Sequence, residues 1–233
     1  MVTRSMKDLA MRVFLSEPAQ RINAVVERIR QRKALRHWER NGRILPPPHI
    51  VKQRIVKAYA AELSLDILVE TGTYLGAMID ATRDTFGRIY SIELDRALYQ
   101  RARNKYRRFN HISVFNGDSS QVLRDILAGI REPCLFWLDA HHSGVLTARG
   151  EIESPIMHEV TQILRHPIVD HVILIDDAHA FVGQDGYPTL AELRHEVSLW
   201  RPGWTFEVRD DVIRIHGPRE KGNLANSGQA RYK

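Results

Sequence analysis

Acidic residues, glycines and histidines follow five short apolar segments of this sequence. These polar groups lie at residues 70–76, 93, 117–119, 139–142 and 176–179. Each apolar segment has the length and the β-branched or aromatic content of a buried strand. Ligands of open α/β sheets bind beyond the carboxyl ends of the strands. Because a purely structural protein has little need for so many carboxylates at one edge of a sheet, the pattern predicts a binding or catalytic site there.

The first of these polar segments reads Glu-Thr-Gly-Thr-Tyr-Leu-Gly. Glycine directly after a strand lets a ligand approach the backbone closely. The spacing of Gly72 and Gly76 differs from Gly-x-Gly-x-x-Gly, and no Walker lysine follows, so the loop is not predicted to cradle phosphates. Glu70 would repel a pyrophosphate and would suit a cation, such as an amino acid ammonium or a sulfonium group.

Two further acids have the positions expected around an adenosine group. Glu93 ends the second apolar segment, 21 residues after Gly72. In nucleotide-binding sheets, an acid about 20 residues past the first glycine hydrogen-bonds the ribose hydroxyls. Asp118 ends the third segment, where it would reach an adenine amino group. Asp118 and Ser119 also precede a predicted helix and could instead cap it, but together with the glycines these residues predict an adenosine site.

Three of these segments carry a family resemblance. Residues 70–76, 91–93 and 117–119 resemble the first three motifs of class I S-adenosylmethionine (SAM)-dependent methyltransferases, and the resemblance covers about residues 60–217. It is strongest to metal-dependent O-methyltransferases of the catechol type and of macrolide and aminocoumarin sugars, in which Glu-x-Gly-x-Tyr-x-Gly follows the first strand. A Phe-Trp-Leu-Asp-x-His pattern at residues 136–141 is further similar to bacterial enzymes of polysaccharide clusters.

The resemblance assigns a cofactor and a metal to this edge of the predicted sheet. It implies that SAM is bound by residues that follow predicted strands, namely Glu70, Thr71, Gly72, Thr73, Tyr74, Gly76, Glu93, Asp118, Ser119 and Asp139. It also implies that Asp139, Asp176 and Asp177 hold Mg²⁺ or another divalent cation. Converging carboxylates repel one another unless a cation lies among them, and oxygen-only ligation suits Mg²⁺. The alternative is that Asp176 or Asp177 merely caps the segment that follows.

The residues after Asp139 depart from the catechol pattern. In the catechol-type enzymes, a lysine three residues after the metal-binding aspartate serves as the base, and here that position holds His142. A histidine can accept a proton near neutral pH. The predicted catalytic residues are therefore His142, with His141 as the alternative base, and Asp139 beside them. His179 is a candidate metal ligand or substrate contact, and nitrogen ligation would shift the metal preference from Mg²⁺ toward Mn²⁺, Fe²⁺ or Zn²⁺.

Strand and helix patterns alternate over residues 58–217, which predicts an α/β catalytic domain. We expect a Rossmann-like, doubly wound and mostly parallel seven-stranded sheet with an antiparallel last strand. The last two strands, at residues 205–208 and 212–215, lie too close together for a crossover and predict a hairpin. Long connections at residues 143–155 and 181–188 are candidate substrate walls. Their mixed polarity favours a hydroxylated substrate, such as a sugar.

Positive charge is concentrated in a predicted N-terminal helical arm, residues 1–57. These residues contain 14 Lys and Arg against 4 Asp and Glu, a net charge of +10, whereas residues 58–233 carry a net charge of −4. Nucleic acid or an anionic membrane could attract such an arm. An apolar stripe on its first helix, predicted at residues 19–40, favours instead packing against the catalytic domain or in a homo-oligomer. The stripe consists of Ile22, Val25, Val26 and Ile29.

The composition is typical of a globular protein. Of the 233 residues, 43% are hydrophobic and 27% are charged, which excludes a largely disordered chain. No apolar run approaches the ~18 residues of a membrane-spanning helix. The single cysteine, Cys134, excludes an intrachain disulfide and a cysteine-based metal site. We expect a cytoplasmic protein with a flexible tail at residues 218–233.

The sequence thus predicts a SAM-dependent, divalent-metal-dependent O-methyltransferase that acts on a hydroxyl of a sugar, a glycan or another small hydroxylated metabolite. The alternatives are an RNA 2′-hydroxyl methyltransferase that uses the basic arm, and a metal-independent methyltransferase with a histidine base. Methylation of base amino groups is disfavoured because no Asn/Asp-Pro-Pro-aromatic motif follows the fourth strand, so nucleic acid is a disfavoured partner. A nicotinamide dehydrogenase would need Gly-x-Gly-x-x-Gly, and a non-catalytic ligand-binding subunit would not need three metal-spaced aspartates.

Overall fold

The computed structural model describes residues 17–139, 155–184 and 186–218. The chain divides into two compact units, residues 1–52 and 53–233. The predicted division into arm, catalytic domain and tail stays a prediction, and most of the tail lies outside the described residues. Among the described helices, none is both long enough and apolar enough to span a membrane.

The first unit contains helical segments at both ends of its described part, α1 (Glu17–Arg40) and the beginning of α2 (His49–Leu63). Trp38, near the end of α1, is buried, and its indole Nε1–H donates to the carbonyl oxygen of Ile44 at 2.8 Å. This bond ties the end of the helix to the segment that follows. Of the predicted apolar stripe, Val26 and Ile29 are exposed, by 41% and 50%. The packing of the stripe against another surface stays a prediction.

A seven-stranded sheet forms the centre of the second unit. The strands are β1 (Ile67–Thr71), β2 (Arg88–Glu93), β3 (Ile112–Asn116), β4 (Leu135–Leu138), β5 (Val172–Ile175), β6 (Thr205–Arg209) and β7 (Val212–His216). Their order across the sheet is β3-β2-β1-β4-β5-β7-β6. Strands β1 to β5 are parallel, and β7 runs antiparallel to both β5 and β6. The predicted Rossmann-like, mostly parallel sheet with an antiparallel last strand is confirmed.

Helices cover both faces of the sheet. Besides α2 they are α3 (Ala77–Thr82), α4 (Arg96–Tyr106), α5 (Ser119–Gly129), α6 (Pro155–Arg165) and α7 (Leu190–Trp200), with a short 3₁₀ helix at Ala178–Ala180. In β4, Leu135 and Trp137 belong to a buried cluster with α3 and α4, whereas Phe136 and Leu138 belong to a second cluster with α5, α6 and α7. Because successive strand residues alternate between two buried faces, the central strands β4 and β5 read as continuous apolar runs.

Strands β6 and β7 are joined by a two-residue turn, Asp210 and Asp211. Both residues have positive φ, 52° and 62°, as in the tight type I′ turns of hairpins, where aspartate is common. The prediction placed Arg209 in this connection, but Arg209 pairs with β7 and belongs to β6. Because β7 is antiparallel to β5, with Ile213 opposite Ile175, the turn lies at the same edge of the sheet as the carboxyl end of β5.

Two buried histidines near the starts of β4 and β5 form a chain of hydrogen bonds. The backbone N–H of Cys134 donates to His171 Nδ1 at 3.0 Å, so His171 Nε2–H donates to His166 Nδ1 at 2.9 Å. His166 Nε2–H then donates to the carbonyl oxygen of Leu127 at 3.1 Å. Burial, followed by the charges of His166 and Arg201, lowers the pKa of His171 to about 3. His171 is therefore held in its neutral form.

We predict that this histidine chain makes the protein less stable in acid. The pKa of His171 is lower in the folded state than its ordinary value of 6.5, so the unfolded chain binds more protons as the pH falls below that value. The contribution of His171 to the free energy of unfolding should be fully present above about pH 7. It should fall by about 2 kcal/mol between pH 7 and pH 5. Urea unfolding of wild type and His171→Asn at both pH values measures the free energy of unfolding. The difference between the two proteins isolates the contribution of His171, because other titrating groups affect both equally. An equal pH dependence of the two proteins would contradict the prediction.

Candidate active site

The carboxyl ends of β1, β4 and β5 lie side by side. Thr71 pairs with Leu138, and Leu138 pairs with Ile175, so the residues that follow meet at one edge, at the ~4.8 Å spacing of neighbouring strands. Backbone bonds continue this register, because Asp139 N–H donates to Thr71 O at 3.2 Å and Asp176 N–H donates to Leu138 O at 2.9 Å. The fold therefore brings Asp139 and Asp176 next to each other.

The aspartates predicted to bind a metal form one cluster. Asp139, Asp176 and Asp177 each offer a carboxylate oxygen, and these oxygens lie within 4.8 Å of one another. Asp176 is buried, and the other two are half-buried. Asp177 precedes the 3₁₀ helix Ala178–Ala180, all of which is described, yet its side chain makes no capping hydrogen bond to that helix. Asp176 Oδ1 accepts from Asp177 N–H at 2.8 Å, which fixes the Asp176 carboxyl group relative to the backbone of Asp177.

Two glycines with left-handed backbone conformation shape the loop after β1. Gly72 has φ +85°, and a Cβ atom there would lie 3.0 Å from the carbonyl oxygen of Asp139. Gly76 has φ +76°, and a Cβ atom there would overlap the hydroxyl of Tyr106, which donates to Gly76 O at 2.8 Å. At both glycines, the atoms that leave no space for a side chain belong to other residues of the protein, Asp139 and Tyr106. Packing within the fold therefore requires glycine at these positions, whatever ligand the loop binds.

Glu93, at the end of β2, holds this loop in place. Its Oε2 accepts from Tyr74 N–H at 2.7 Å, and its Oε1 accepts from Asp95 N–H at 2.9 Å. Because Tyr74 has φ +46°, the charge-assisted hydrogen bond stabilises an uncommon backbone conformation. Glu93 is buried, with 7% of its surface exposed, and each carboxylate oxygen retains acceptor capacity. The residue predicted to bind ribose thus also has a structural role.

Glu70, another predicted cofactor-binding residue, lies buried in β1. It is 2% exposed and accepts from Ser91 Oγ at 2.5 Å, and Ser91 Oγ accepts in turn from Thr73 Oγ1 at 2.6 Å. Burial, together with the charges of Asp139 and Glu93, raises the pKa of Glu70 to about 8. A positive charge bound nearby would lower this pKa. Glu70 is therefore suited to balance the charge of a cationic ligand.

Asp118 and Ser119 mark the start of helix α5. Asp118 Oδ1 accepts from both the N–H and the hydroxyl of Ser120, each at 2.8 Å, so Asp118 does cap the helix. The cap uses one carboxylate oxygen and is compatible with a cofactor contact through the other.

Glu159 of α6 is buried and hydrogen-bonds Ser119 and, at 3.4 Å, Thr71. Burial raises the pKa of Glu159 to about 7. The sequence did not predict this residue, because a single acidic residue in an amphipathic helix has no recognisable pattern.

A histidine–aspartate pair adjoins the aspartate cluster. His179 Nδ1 lies 2.8 Å from Oδ2 of Asp211, which belongs to the turn between β6 and β7. Asp177, His179 and Asp211 form a second group whose ligand atoms lie within 4.8 Å of one another. Sequence reasoning treated Asp211 only as a turn residue. The signal that could have found it is topological, because the turn before an antiparallel last strand returns to the carboxyl edge of the sheet.

Tyr187 places an aromatic side chain in the electrostatic field of the aspartates. Its ring meets that of Phe181 edge-on, with the centroids 5.3 Å apart. Burial, followed by the charges of Asp177, Asp139 and Asp176, raises the pKa of Tyr187. The phenol therefore stays neutral and keeps a proton to donate. Both rings belong to the connection that the sequence predicts as a substrate wall.

The predicted bases His141 and His142 lie outside the described residues, as does the whole segment 140–154. Their assignment stays a prediction. Asp139, the last described residue before them, belongs to the aspartate cluster.

Comparison with known proteins identifies the fold. No protein-family model matches the sequence, and no curated protein sequence matches it. The O-methyltransferase from Bacillus cereus, solved with SAH, is 13% identical over 80% of this chain and 90% of its own, with a TM-score of 0.53. The O-methyltransferase TomG from Streptomyces achromogenes, involved in tomaymycin synthesis and solved with SAM, is 15% identical over 81% and 89%, with a TM-score of 0.51. The SAH-bound methyltransferase PaMTH1 from Podospora anserina is 19% identical over 88% and 97%, with a TM-score of 0.50.

At these identities the likeness shows the fold. The chain has the Rossmann-like fold of the SAM-dependent methyltransferases. The resemblance stated from the sequence motifs is confirmed at that level.

Proposed function

We propose that this protein is a SAM-dependent O-methyltransferase that uses a divalent cation and acts on a hydroxyl of a sugar, a glycan or another small hydroxylated metabolite. The observation that carries the proposal is the cluster of Asp139, Asp176 and Asp177 beside the loop after β1, in a chain with the methyltransferase fold. Two structures with this fold, from Bacillus cereus and Streptomyces achromogenes, are O-methyltransferases. Methyl transfer needs a cofactor and an acceptor at one edge of the sheet, and the proposed cofactor residues and the aspartate cluster both follow strands at that edge.

The cofactor is proposed to lie along the ends of β1, β2 and β3. Glu93 keeps acceptor capacity for ribose hydroxyls, and Asp118 follows β3, the next strand in the sheet. Glu93 adds negative charge, and Glu70 would ionise when a positive charge binds beside it. Both effects favour a cationic cofactor over a pyrophosphate-containing one. When bound, SAM supplies an activated methyl group and a divalent cation supplies positive charge that favours the deprotonated acceptor.

The donor set of the aspartate cluster fits a hard divalent cation. It consists of carboxylate oxygens that lie close enough to share one ion, and such oxygen ligation suits Mg²⁺. Without a cation, the three charges would repel one another at close range. Asp139, Asp176 and Asp177 are therefore the proposed holders of the ion.

The acceptor hydroxyl must lose a proton as its oxygen bonds to the methyl carbon and the bond from sulfur to that carbon breaks. His142, or failing that His141, is the proposed acceptor of this proton, because a neutral imidazole accepts protons near pH 7. Both residues follow Asp139 in the sequence. Positioning of the reactants and favourable charges at the developing oxyanion would provide most of the rate.

A hydroxylated acceptor fits the side chains around the cluster. Tyr187 combines an aromatic ring with a neutral hydroxyl, which can donate to an acceptor oxygen. The nearby carboxylates can accept hydrogen bonds from further hydroxyls. This combination supports a sugar or glycan rather than a flat apolar acceptor.

Replacing Glu93 by glutamine should weaken SAM binding by about 10- to 100-fold, because hydrogen bonds to a charged group contribute about 1.5–3 kcal/mol. Glutamine keeps the size of the side chain and one acceptor for the Tyr74 N–H, but its amide nitrogen cannot accept from the Asp95 N–H, so thermal unfolding of the variant must show that its fold is retained. Isothermal titration calorimetry with SAM measures the change. The control is Asp84→Asn, at an acid whose side chain is 91% exposed. Wild-type affinity in Glu93→Gln would remove the ribose assignment.

Methyl transfer from labelled SAM should occur to a member of a panel of nucleotide sugars, glycans and phenols, and excess EDTA should abolish it while leaving SAM binding nearly unchanged. Asp176→Asn should raise the metal concentration needed for half-maximal activity or abolish activity, because a charged ligand is lost. Asp170→Asn, at an exposed acid before β5, is the matched control. Full activity in excess EDTA would overturn the metal mechanism. Transfer to RNA alone would favour the RNA 2′-hydroxyl alternative.

Removing the proposed base should slow chemistry rather than binding. His142→Ala should lower kcat by about 10²- to 10⁴-fold, the usual contribution of a general base, with partial recovery at high pH. His141→Ala should have the smaller effect. Steady-state kinetics with the acceptor found in the panel measures both. A larger loss in His141→Ala than in His142→Ala would exchange the two assignments.

A further inference from the structure

We propose that Glu159 is a positioning residue of the cofactor site, because it holds the end of β1 to the start of α5. It acts through Thr71 and Ser119, two residues that the proposed function assigns to SAM binding. Helix α6 thereby joins the elements on which SAM affinity depends. This inference rests on the proposed SAM-binding site and concerns what holds that site in shape.

Glu159 lies on the side of α6 that packs into the protein. It is 3% exposed, and its neighbours on that side of the helix, Ile156, Val160 and Ile163, are 2%, 0% and 1% exposed. Burying a carboxyl group among apolar side chains costs free energy unless hydrogen bonds replace those made to water. A leucine would avoid this cost. The glutamate therefore draws attention to the hydrogen bonds that it makes rather than to its packing.

The Glu159 carboxyl group connects two segments that the sheet does not join directly. Its Oε2 accepts from Thr71 Oγ1–H at 3.4 Å, and the carboxyl group also hydrogen-bonds the side chain of Ser119. Thr71 is the last residue of β1, and Ser119 is the first residue of α5, which follows β3. Because β2 lies between β1 and β3 in the sheet, the ends of these two strands do not pair with each other. Glu159 supplies a direct connection between them.

Gln162 adds a second contact from α6 to the same turn of α5. Its Nε2–H donates to Ser120 O at 2.6 Å, and side chains three residues apart, such as those of Glu159 and Gln162, are neighbours on a helix surface. Ser120 in turn donates its N–H and its hydroxyl to Asp118 Oδ1, each at 2.8 Å. A displacement of this turn would therefore also move Asp118, the proposed adenine contact.

The chemistry of the carboxyl group indicates which substitutions preserve the connection. Burial raises the pKa of Glu159 to about 7, so near neutral pH the neutral acid is present beside the carboxylate. Like the neutral acid, a glutamine side chain has a carbonyl oxygen that accepts and a second polar atom that donates, and hydroxyl groups can do both. Glutamine can therefore pair with Thr71 and Ser119, whereas leucine, of similar size, can pair with neither.

Isothermal titration calorimetry of the full chain with SAM tests the proposal. Glu159→Leu should weaken SAM binding by about 10-fold, the effect of losing one hydrogen bond to a charged group, because Thr71 and Ser119 lose their shared partner. Glu159→Gln should restore an affinity close to that of wild type. The matched control is Glu196→Leu, at a glutamate of α7 that likewise accepts from a hydroxyl, Thr161 Oγ1–H of α6, at 2.7 Å. It should bind SAM as wild type does.

Three further measurements separate positioning from a general structural role. Glu159→Leu should unfold at or above the wild-type temperature, because leucine buries no polar group, although it binds SAM more weakly. In steady-state kinetics with the methyl acceptor found in the panel, its KM for SAM should rise while kcat stays unchanged. Adding Ser119→Ala to Glu159→Leu should weaken SAM binding no further than the stronger single variant, because both changes remove the same connection.

The outcomes distinguish this inference from the proposed function. Wild-type SAM affinity in Glu159→Leu, or equal losses in Glu159→Leu and Glu159→Gln, would overturn the role of Glu159 and leave the proposed SAM site standing. Additive losses from Glu159→Leu and Ser119→Ala would overturn the action through Ser119. Failure of wild type to bind SAM would overturn both proposals. If circular dichroism shows that Glu159→Leu does not fold, Glu159→Asp, whose side chain is one methylene shorter, replaces it with the same expected loss, and wild-type affinity in that variant would overturn the inference.

Discussion

Repulsion among carboxylates is the constraint on which this site depends. The register of β1, β4 and β5 places Asp139 and Asp176 on neighbouring strands, and Asp177 follows directly. Such a cluster persists only where hydrogen bonds or a counter-charge offset the repulsion. The backbone supplies part of this compensation, because Asp177 N–H donates to Asp176 Oδ1. The proposed cation would offset the repulsion further.

The antiparallel last strand contributes to the site as well as to the sheet. A parallel strand in the position of β7 would begin at the opposite edge, far from the aspartates. Because β7 is antiparallel, the turn before it returns to the carboxyl edge and brings Asp211 to the 3₁₀ helix after β5. Asp211 then accepts hydrogen bonds from successive residues of that helix, Ala178 and His179. The hairpin therefore fixes the geometry of a segment more than 30 residues earlier in the chain.

The sequence predicted those features that depend on local pattern and on the general rule for strand ends. The order of strands and helices, and the meeting of Asp139 with Asp176, follow from apolar periodicity and from the fact that parallel strands share an edge. Features that depend on distant partners were not predictable. Glu159 is significant only because α6 packs beside Thr71 and Ser119, and Gly76 is a glycine because Tyr106, 30 residues later, takes the space of its side chain.

The charge around the site bears on the choice between a small acceptor and a nucleic acid. Glu93, Asp139 and Asp176 all lie at or near the carboxyl edge, and residues 58–233 carry a net charge of −4. A bound divalent cation would neutralise only part of this local charge. An RNA strand would bring several phosphates to the same edge, and each would be repelled by the carboxylates that remain, whereas a neutral sugar hydroxyl would not. Within the proposed function, these charges favour an uncharged, hydroxylated acceptor over an RNA strand.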